Sequence, residues 1–104
     1  MRRIPEFYGY AADCFGGIRS QWKQGGYMGT NWRKLRPKIN SSGRRFVALR
    51  KQGMTYHISV GRLVLLAFVG PCPNGHEVSH LNGDESDDRL ENLLWETHAE
   101  NVAR

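Results

Sequence analysis

Apolar and polar positions along the chain separate a strand-rich first half from a mixed second half. From Ile4 to Lys23 the sequence reads IPEFYGYAADCFGGIRSQWK, with aromatic and small residues broken by Gly16-Gly17. That pattern predicts two short strands around a turn. The following QGGYMGTNWRKLRPKINSSG has no clear period and is rich in Gly, Lys and Arg. It predicts a loop with one short strand near 32–36. Pro37, which has no amide hydrogen to donate, ends that strand or holds it to a sheet edge. Arg45 to Arg50 alternates, Met54 to Ser59 is rich in β-formers, and Lys51-Gln52-Gly53 lies between them. This is a hairpin pattern. The run from Val60 to Val69, VGRLVLLAFV, is different in kind. Leu63, Leu66 and Ala67 fall at helical spacing, Val60, Val64 and Phe68 fill the neighbouring stripe, and Gly70-Pro71 stops it. A helix apolar nearly all round belongs in a core.

The last third predicts strand, loop, strand and helix. His76–His80 is a short strand, and Asn82-Gly83 tolerates the positive φ of a tight turn. Glu85 to Glu91 is polar and acidic, a loop or a single helical turn, and Leu93–Glu96 a second strand. Thr97 is the N-cap of a helix running to Arg104, with Glu100 as its capping-box partner. Trp95 is expected to pack under this hairpin against the helix at 60–69. The class is α+β: a small β-rich N-terminal half, a core helix near 60–69 and a C-terminal hairpin with a helix. At 104 residues the length suits a single domain over 1–104, with 1–59 and 60–104 as its two parts.

Composition adds a partner. The chain carries 15 Lys+Arg against 10 Asp+Glu, a net of +5. Residues 1–52 hold 12 basic and 2 acidic residues, a balance of +10; residues 53–104 hold 3 and 8, a balance of −5. A basic half points to a polyanion, because Lys and Arg neutralise phosphates and release counterions. The candidates for contacts with double-stranded DNA are Arg19, Lys23, Arg33, Lys34, Arg36, Lys38, Arg44, Arg45, Arg50 and Lys51, interleaved with Trp22, Tyr27, Trp32 and Phe46. No apolar run approaches the ~20 residues of a membrane span, and the start lacks the apolar stretch of a signal peptide. A cytoplasmic protein with no membrane partner is expected. Cys14 and Cys72 are far apart with no C-x-x-C, which excludes a four-cysteine zinc site and leaves two buried, inert thiols.

Polar residues with ligand or acid–base chemistry gather in VSHLNGDESDDRLENLLWETHAEN: Ser79, His80, Asp84, Asp87, Asp88, Asn92, His98 and Asn101. Cutting a phosphodiester requires a base to activate water and a divalent ion to stabilise charge on the phosphate and the leaving oxygen. Imidazole titrates near neutrality and suits the base. Asn and Asp oxygens suit magnesium better than zinc. Within this segment Glu85, Asp87 and Glu91 read as a solvated face. His57 and His76 read as surface or strand histidines.

Residues 62–102 resemble the HNH endonuclease family, and more narrowly its phage and intron-homing type, in which Asn replaces the last His. The resemblance is carried by an apolar helix ending in Ala67-Phe68, a Pro/Gly turn, E-V-x-H ending at His80, D-x-R-x-x-N-L-x-W from Asp87 to Trp95, and T-H-x-x-N from Thr97 to Asn101. IPEFYGYAADCFGGIRS is similar to the short N-terminal module that often precedes such nucleases. The resemblance implies a ββα-metal (His-Me finger) hairpin. In it His80 is the general base, Asn92 holds the loop and orients His80, and Asn101 is a metal ligand on the final helix. The family's second ligand, commonly Asp, Asn or His, falls on Ser79, whose neutral hydroxyl is a weak donor. Asp84, His98 or water would supplement it, although His98 also reads as a helix-face residue. Gly61 stands where the family's helix usually begins with His, and Asp88 replaces one loop Asn.

The implied function is a Mg²⁺- or Mn²⁺-dependent DNA endonuclease without structural zinc. It would nick or cut both strands, act as monomer or homodimer, and be encoded by a phage or mobile element in the cytoplasm of a bacterial host. The alternative is a DNA-binding accessory protein that keeps the fold and has lost catalysis, a reading favoured by Ser79. A zinc-stabilised module on His80, His98 and a cysteine is a third reading, opposed by the missing C-x-x-C.

Overall fold

One helix forms the meeting point of the antiparallel sheets. The computed structural model describes residues 1–23 and 25–103. The first sheet is ordered β1 (Arg2–Arg3), β2 (Tyr10–Ala12), β3 (Ile18–Trp22) and β4 (Met28–Lys34). β2 and β3 pair around the expected turn, where Gly16 takes φ +89°. The Asp13 carboxylate accepts the Phe15 and Gly17 amides at 2.9 and 2.8 Å. β4 differs from the expectation: it begins earlier than 32 and ends before Leu35. Its backbone pairs with β3, Arg19 opposite Lys34 and Ser20 opposite Arg33. None of its residues is fully buried, so no alternation of polarity marks it.

The second sheet is β5 (Lys38–Ile39), β6 (Arg45–Lys51) and β7 (Met54–Ser59). β6 and β7 form the expected hairpin, with Lys51 opposite Met54. Gln52 and Gly53 at the tip take φ of 52° and 78°, the left-handed pair that matches the twist of a two-residue hairpin.

α1 (Val60–Phe68) is capped by the Ser59 hydroxyl, which accepts the Arg62 amide at 3.4 Å. Val60, Leu63, Val64 and Leu65 are completely buried. They pack with Ile4, Tyr10 and Ile18 of the first sheet region, Val47 and Leu49 of β6, and Leu93. A helix enclosed by sheets must be apolar on most of its circumference.

Beyond it, β8 (His76–His80) and β9 (Leu93–Thr97) pair antiparallel, His80 opposite Leu93, and α2 (His98–Ala103) follows. The capping box forms as read. The Thr97 amide donates to Glu100 Oε1 at 3.0 Å and the Glu100 amide to Thr97 Oγ1 at 3.2 Å. The expected helix end at Arg104 lies outside the described residues. Trp95 packs as expected, its indole donating to the Gly70 carbonyl at 3.2 Å with Arg62 over its ring. The architecture is thus α+β and strand-rich. Among the described residues no helix is long and apolar enough to cross a membrane.

Candidate active site

The alternation of β8 sends neighbouring side chains to opposite faces. Ser79, completely buried, turns toward α2 and donates its hydroxyl to Asn101 Oδ1 at 2.9 Å. His80, 8% exposed, turns toward the loop, where its Nε2 lies 2.8 Å from Asp88 Oδ1. Asp88 is itself buried, and its second oxygen lies 3.4 Å from Arg45 Nε. Spacing did not reveal this contact, because an acidic run such as Asp87-Asp88 looks the same whether it faces solvent or the core. The hydrophobic neighbours Leu90 and Leu93 were the signal that the loop turns inward just after Asp88.

Asn92 ties the loop together. Its Oδ1 accepts the Asn82 amide at 3.0 Å, and its Nδ2 donates to Asn82 Oδ1 and the Asp87 carbonyl, both at 2.9 Å. Among the described residues its side chain makes no hydrogen bond to the His80 ring; Asp88 occupies that place. Asp84 is exposed and serves the turn itself. The Ser86 hydroxyl and amide bind its carboxylate and hold it below the ordinary carboxylate range. The Arg89 guanidinium likewise lowers Asp87, and the pairing raises Arg89. His98 is exposed, with Nδ1 2.9 Å from Glu77 Oε1, so its ring is engaged beside the Ser79–Asn101 pair.

These placements bear on metal chemistry. Among the described residues no three His, Cys, Asp or Glu side chains converge. His80 turns to Asp88, His98 to Glu77, and the Cys72 thiol to the His76 carbonyl at 3.2 Å, so the His–His–Cys zinc site is not assembled. Cys14 is exposed rather than buried. Its carbonyl takes the Leu90 amide at 2.9 Å, which fixes the turn backbone and leaves the side chain outside. Ser79 and Asn101 form a pair of hard, neutral oxygen donors. They fit magnesium, which takes few ligands from a protein when water and substrate phosphates complete its shell.

The basic candidates divide into two groups. Arg19 pairs with Asp13 at 3.4 Å, Arg44 with Glu85 at 2.8 Å, and Arg45 with Asp88 at 3.4 Å. Burial alone would raise the Asp13 carboxyl, but the Gly17 and Phe15 amides and Arg19 outweigh it and lower the pKa. Glu85, expected on a solvated face, is therefore held by β6's neighbour Arg44. Among the described residues the other group makes no ion pair with a carboxylate. Lys23, Arg33, Arg50 and Lys51 line a cleft of about 930 Å³ between the first two sheets, beside Trp22 and Tyr10. Lys34, Arg36 and Lys38 are exposed.

A strand ending in histidine, a loop tied by asparagine and a helix presenting a second asparagine together form one ββα unit. Residues 60–103 match the model of the HNH endonuclease family. An uncharacterized HNH endonuclease of Acanthamoeba polyphaga mimivirus, L247, is 32% identical over 102 residues, covering 95% of this chain and 23% of its own length. A second from the same virus, L245, is 28% identical over 68 residues, 65% of this chain and 21% of its own. The chain thus spans about a quarter of these relatives. The solved structure of the HNH homing endonuclease I-HmuI, described with DNA binding and cleavage, superposes with a TM-score of 0.80 at 25% identity, over 98% of this chain and 55% of that one.

Proposed function

We propose that the chain is a metal-dependent endonuclease that hydrolyses phosphodiester bonds in double-stranded DNA. The observation that carries this reading is that consecutive residues at the end of β8 hold a buried histidine against Asp88 and an oxygen donor, Ser79, bonded to Asn101 of α2. His80 takes a proton from water through the ring nitrogen that Asp88 leaves free. The water oxygen attacks phosphorus, and the bond to the 3′ oxygen breaks. Ser79 and Asn101 would hold the divalent cation, which supplies charge stabilisation at the phosphate and leaving oxygen. Asn92 keeps the loop closed so that His80 stays at the end of β8. Lys23, Arg33, Arg50 and Lys51, on the cleft walls, supply phosphate contacts that fix register without reading bases.

A second reading is a DNA-binding protein of the same fold without catalysis. It is favoured by the neutrality of the Ser79–Asn101 pair, whose hydroxyl and amide oxygen are already bonded to each other. A plasmid relaxation assay separates the two. The endonuclease reading predicts loss of supercoiled DNA in Mg²⁺ or Mn²⁺ and none in EDTA. DNA binding without cleavage in either metal would favour the accessory reading.

A further inference from the structure

We propose that Asp88 is a positioning residue for His80, fixing which ring nitrogen carries the proton, and that Arg45 and Gly61 exist at their positions to hold Asp88. The proposal rests on the reading that His80 accepts a proton from water. Asp88 is 3% exposed, and its Oδ1 lies 2.8 Å from His80 Nε2. An ionised carboxylate can only accept hydrogen bonds, so the nitrogen facing it must carry the hydrogen. Nε2 is therefore the N–H, and Nδ1 is the unprotonated nitrogen. Among the described residues nothing hydrogen-bonds to Nδ1, which leaves it free to meet water. Second partners of this kind set tautomer and orientation wherever an imidazole must present one particular nitrogen.

Three separate segments converge on the Asp88 carboxylate and backbone. From β6, Arg45 sets its Nε 3.4 Å from Asp88 Oδ2 while its Nη2 donates to the Gly16 carbonyl at 2.8 Å. Both Arg45 Nε and Asp88 Oδ2 are buried without a hydrogen-bond partner, so charge rather than a directed bond holds them together. A buried carboxylate needs such compensation. From the β2–β3 turn, a Cβ on Gly16 would come within 3.1 Å of the Asp88 carbonyl oxygen. From α1, a Cβ on Gly61 would lie 2.9 Å from Asp88 Oδ1. Glycine is a poor helix former next to alanine. Here the missing side chain is the space the carboxylate occupies. Asp87, the neighbouring acid, is spent on Arg89 and Asn82 at the surface, so the two adjacent carboxylates hold different partners.

Nitrogen NMR of ¹⁵N-histidine-labelled protein tests this directly, in mildly alkaline buffer where imidazole is neutral. The His80 signals are assigned by their loss in His80→Gln. The parent is expected to show His80 as the Nε2–H tautomer. Asp88→Asn, whose amide oxygen can also accept, should retain that signature. Asp88→Leu should give a mixture of tautomers, with kcat for DNA cleavage lowered about 100-fold, KM unchanged, and most of the loss recovered in Asp88→Asn. An Nδ1–H tautomer in the parent overturns the proposal, as does an unaltered His80 signature in Asp88→Leu. Should Asp88→Leu not fold, the parent spectrum alone decides. The signature is read without any cleavage. A parent that fails to cut DNA therefore counts against the nuclease reading, while the tautomer still judges Asp88.

Discussion

At Ser79 the chain offers a hydroxyl bonded to Asn101 across β8 and α2. Two neutral oxygens bind a divalent ion weakly, because most of the attraction in oxygen sites comes from carboxylates. The phosphate of bound DNA would then provide the anionic ligand, and metal uptake should depend on DNA. Mn²⁺ titration followed by electron paramagnetic resonance should show little uptake by the free protein. Uptake should rise on adding a duplex, and Ser79→Asp should bind at least about tenfold more tightly without DNA. Tight binding by the parent alone would show that Ser79 and Asn101 suffice without phosphate. His80, Asn92 and Asn101 were legible as a spaced set, since a motif fixes residue types along one short segment. The Asp88–Arg45 contact was not, because it joins β6 to a loop far along the chain. No local pattern records a long-range ion pair.

Among the elements, α1 was the most legible, since its apolar residues are buried against both large sheets and Leu93. Leu63 is completely buried in the shared core. Leu63→Ala should cost about 2–5 kcal/mol through lost burial and an unfilled cavity, measured as a lower urea midpoint with an unchanged slope. A cost below about 1 kcal/mol would mean the helix is not the common core. The hairpin of β6 and β7 and the capping box of α2 were equally readable, because Gln52-Gly53 and Thr97/Glu100 are local signals. Periodicity misplaces β4 and leaves β1 and β5 unmarked, for a different reason. β1 and β5 have two residues each, and β4 buries no face. Their pairing comes from neighbouring strands, which periodicity does not report.

For the whole molecule, the split between a +10 half and a −5 half is partly resolved within the fold. Arg44 and Arg45 reach across to Glu85 and Asp88, so the acidic loop is tied to the basic half. Arg19, Arg44 and Arg45 are already paired, which leaves Lys23, Arg33, Lys34, Arg36, Lys38, Arg50 and Lys51 for phosphates. Contacts of that number predict a fall in DNA affinity of roughly 10³-fold between 50 and 200 mM salt. Arg33→Gln should reduce the salt slope by about 1, whereas Arg44→Gln should leave it unchanged. Fluorescence anisotropy with a labelled duplex across a salt series checks both, and equal slopes for the two variants would contradict the division.

If His80 activates the attacking water, removing its imidazole must suppress cleavage and leave DNA binding intact. The most direct measurement compares the parent and His80→Ala in plasmid relaxation with Mg²⁺ or Mn²⁺, alongside duplex affinity for each. Cleavage by the parent, a fall of about 10²- to 10⁴-fold in His80→Ala, and unchanged DNA affinity are expected. Equal cleavage by the two proteins, or none by the parent in either metal, would contradict that role for His80.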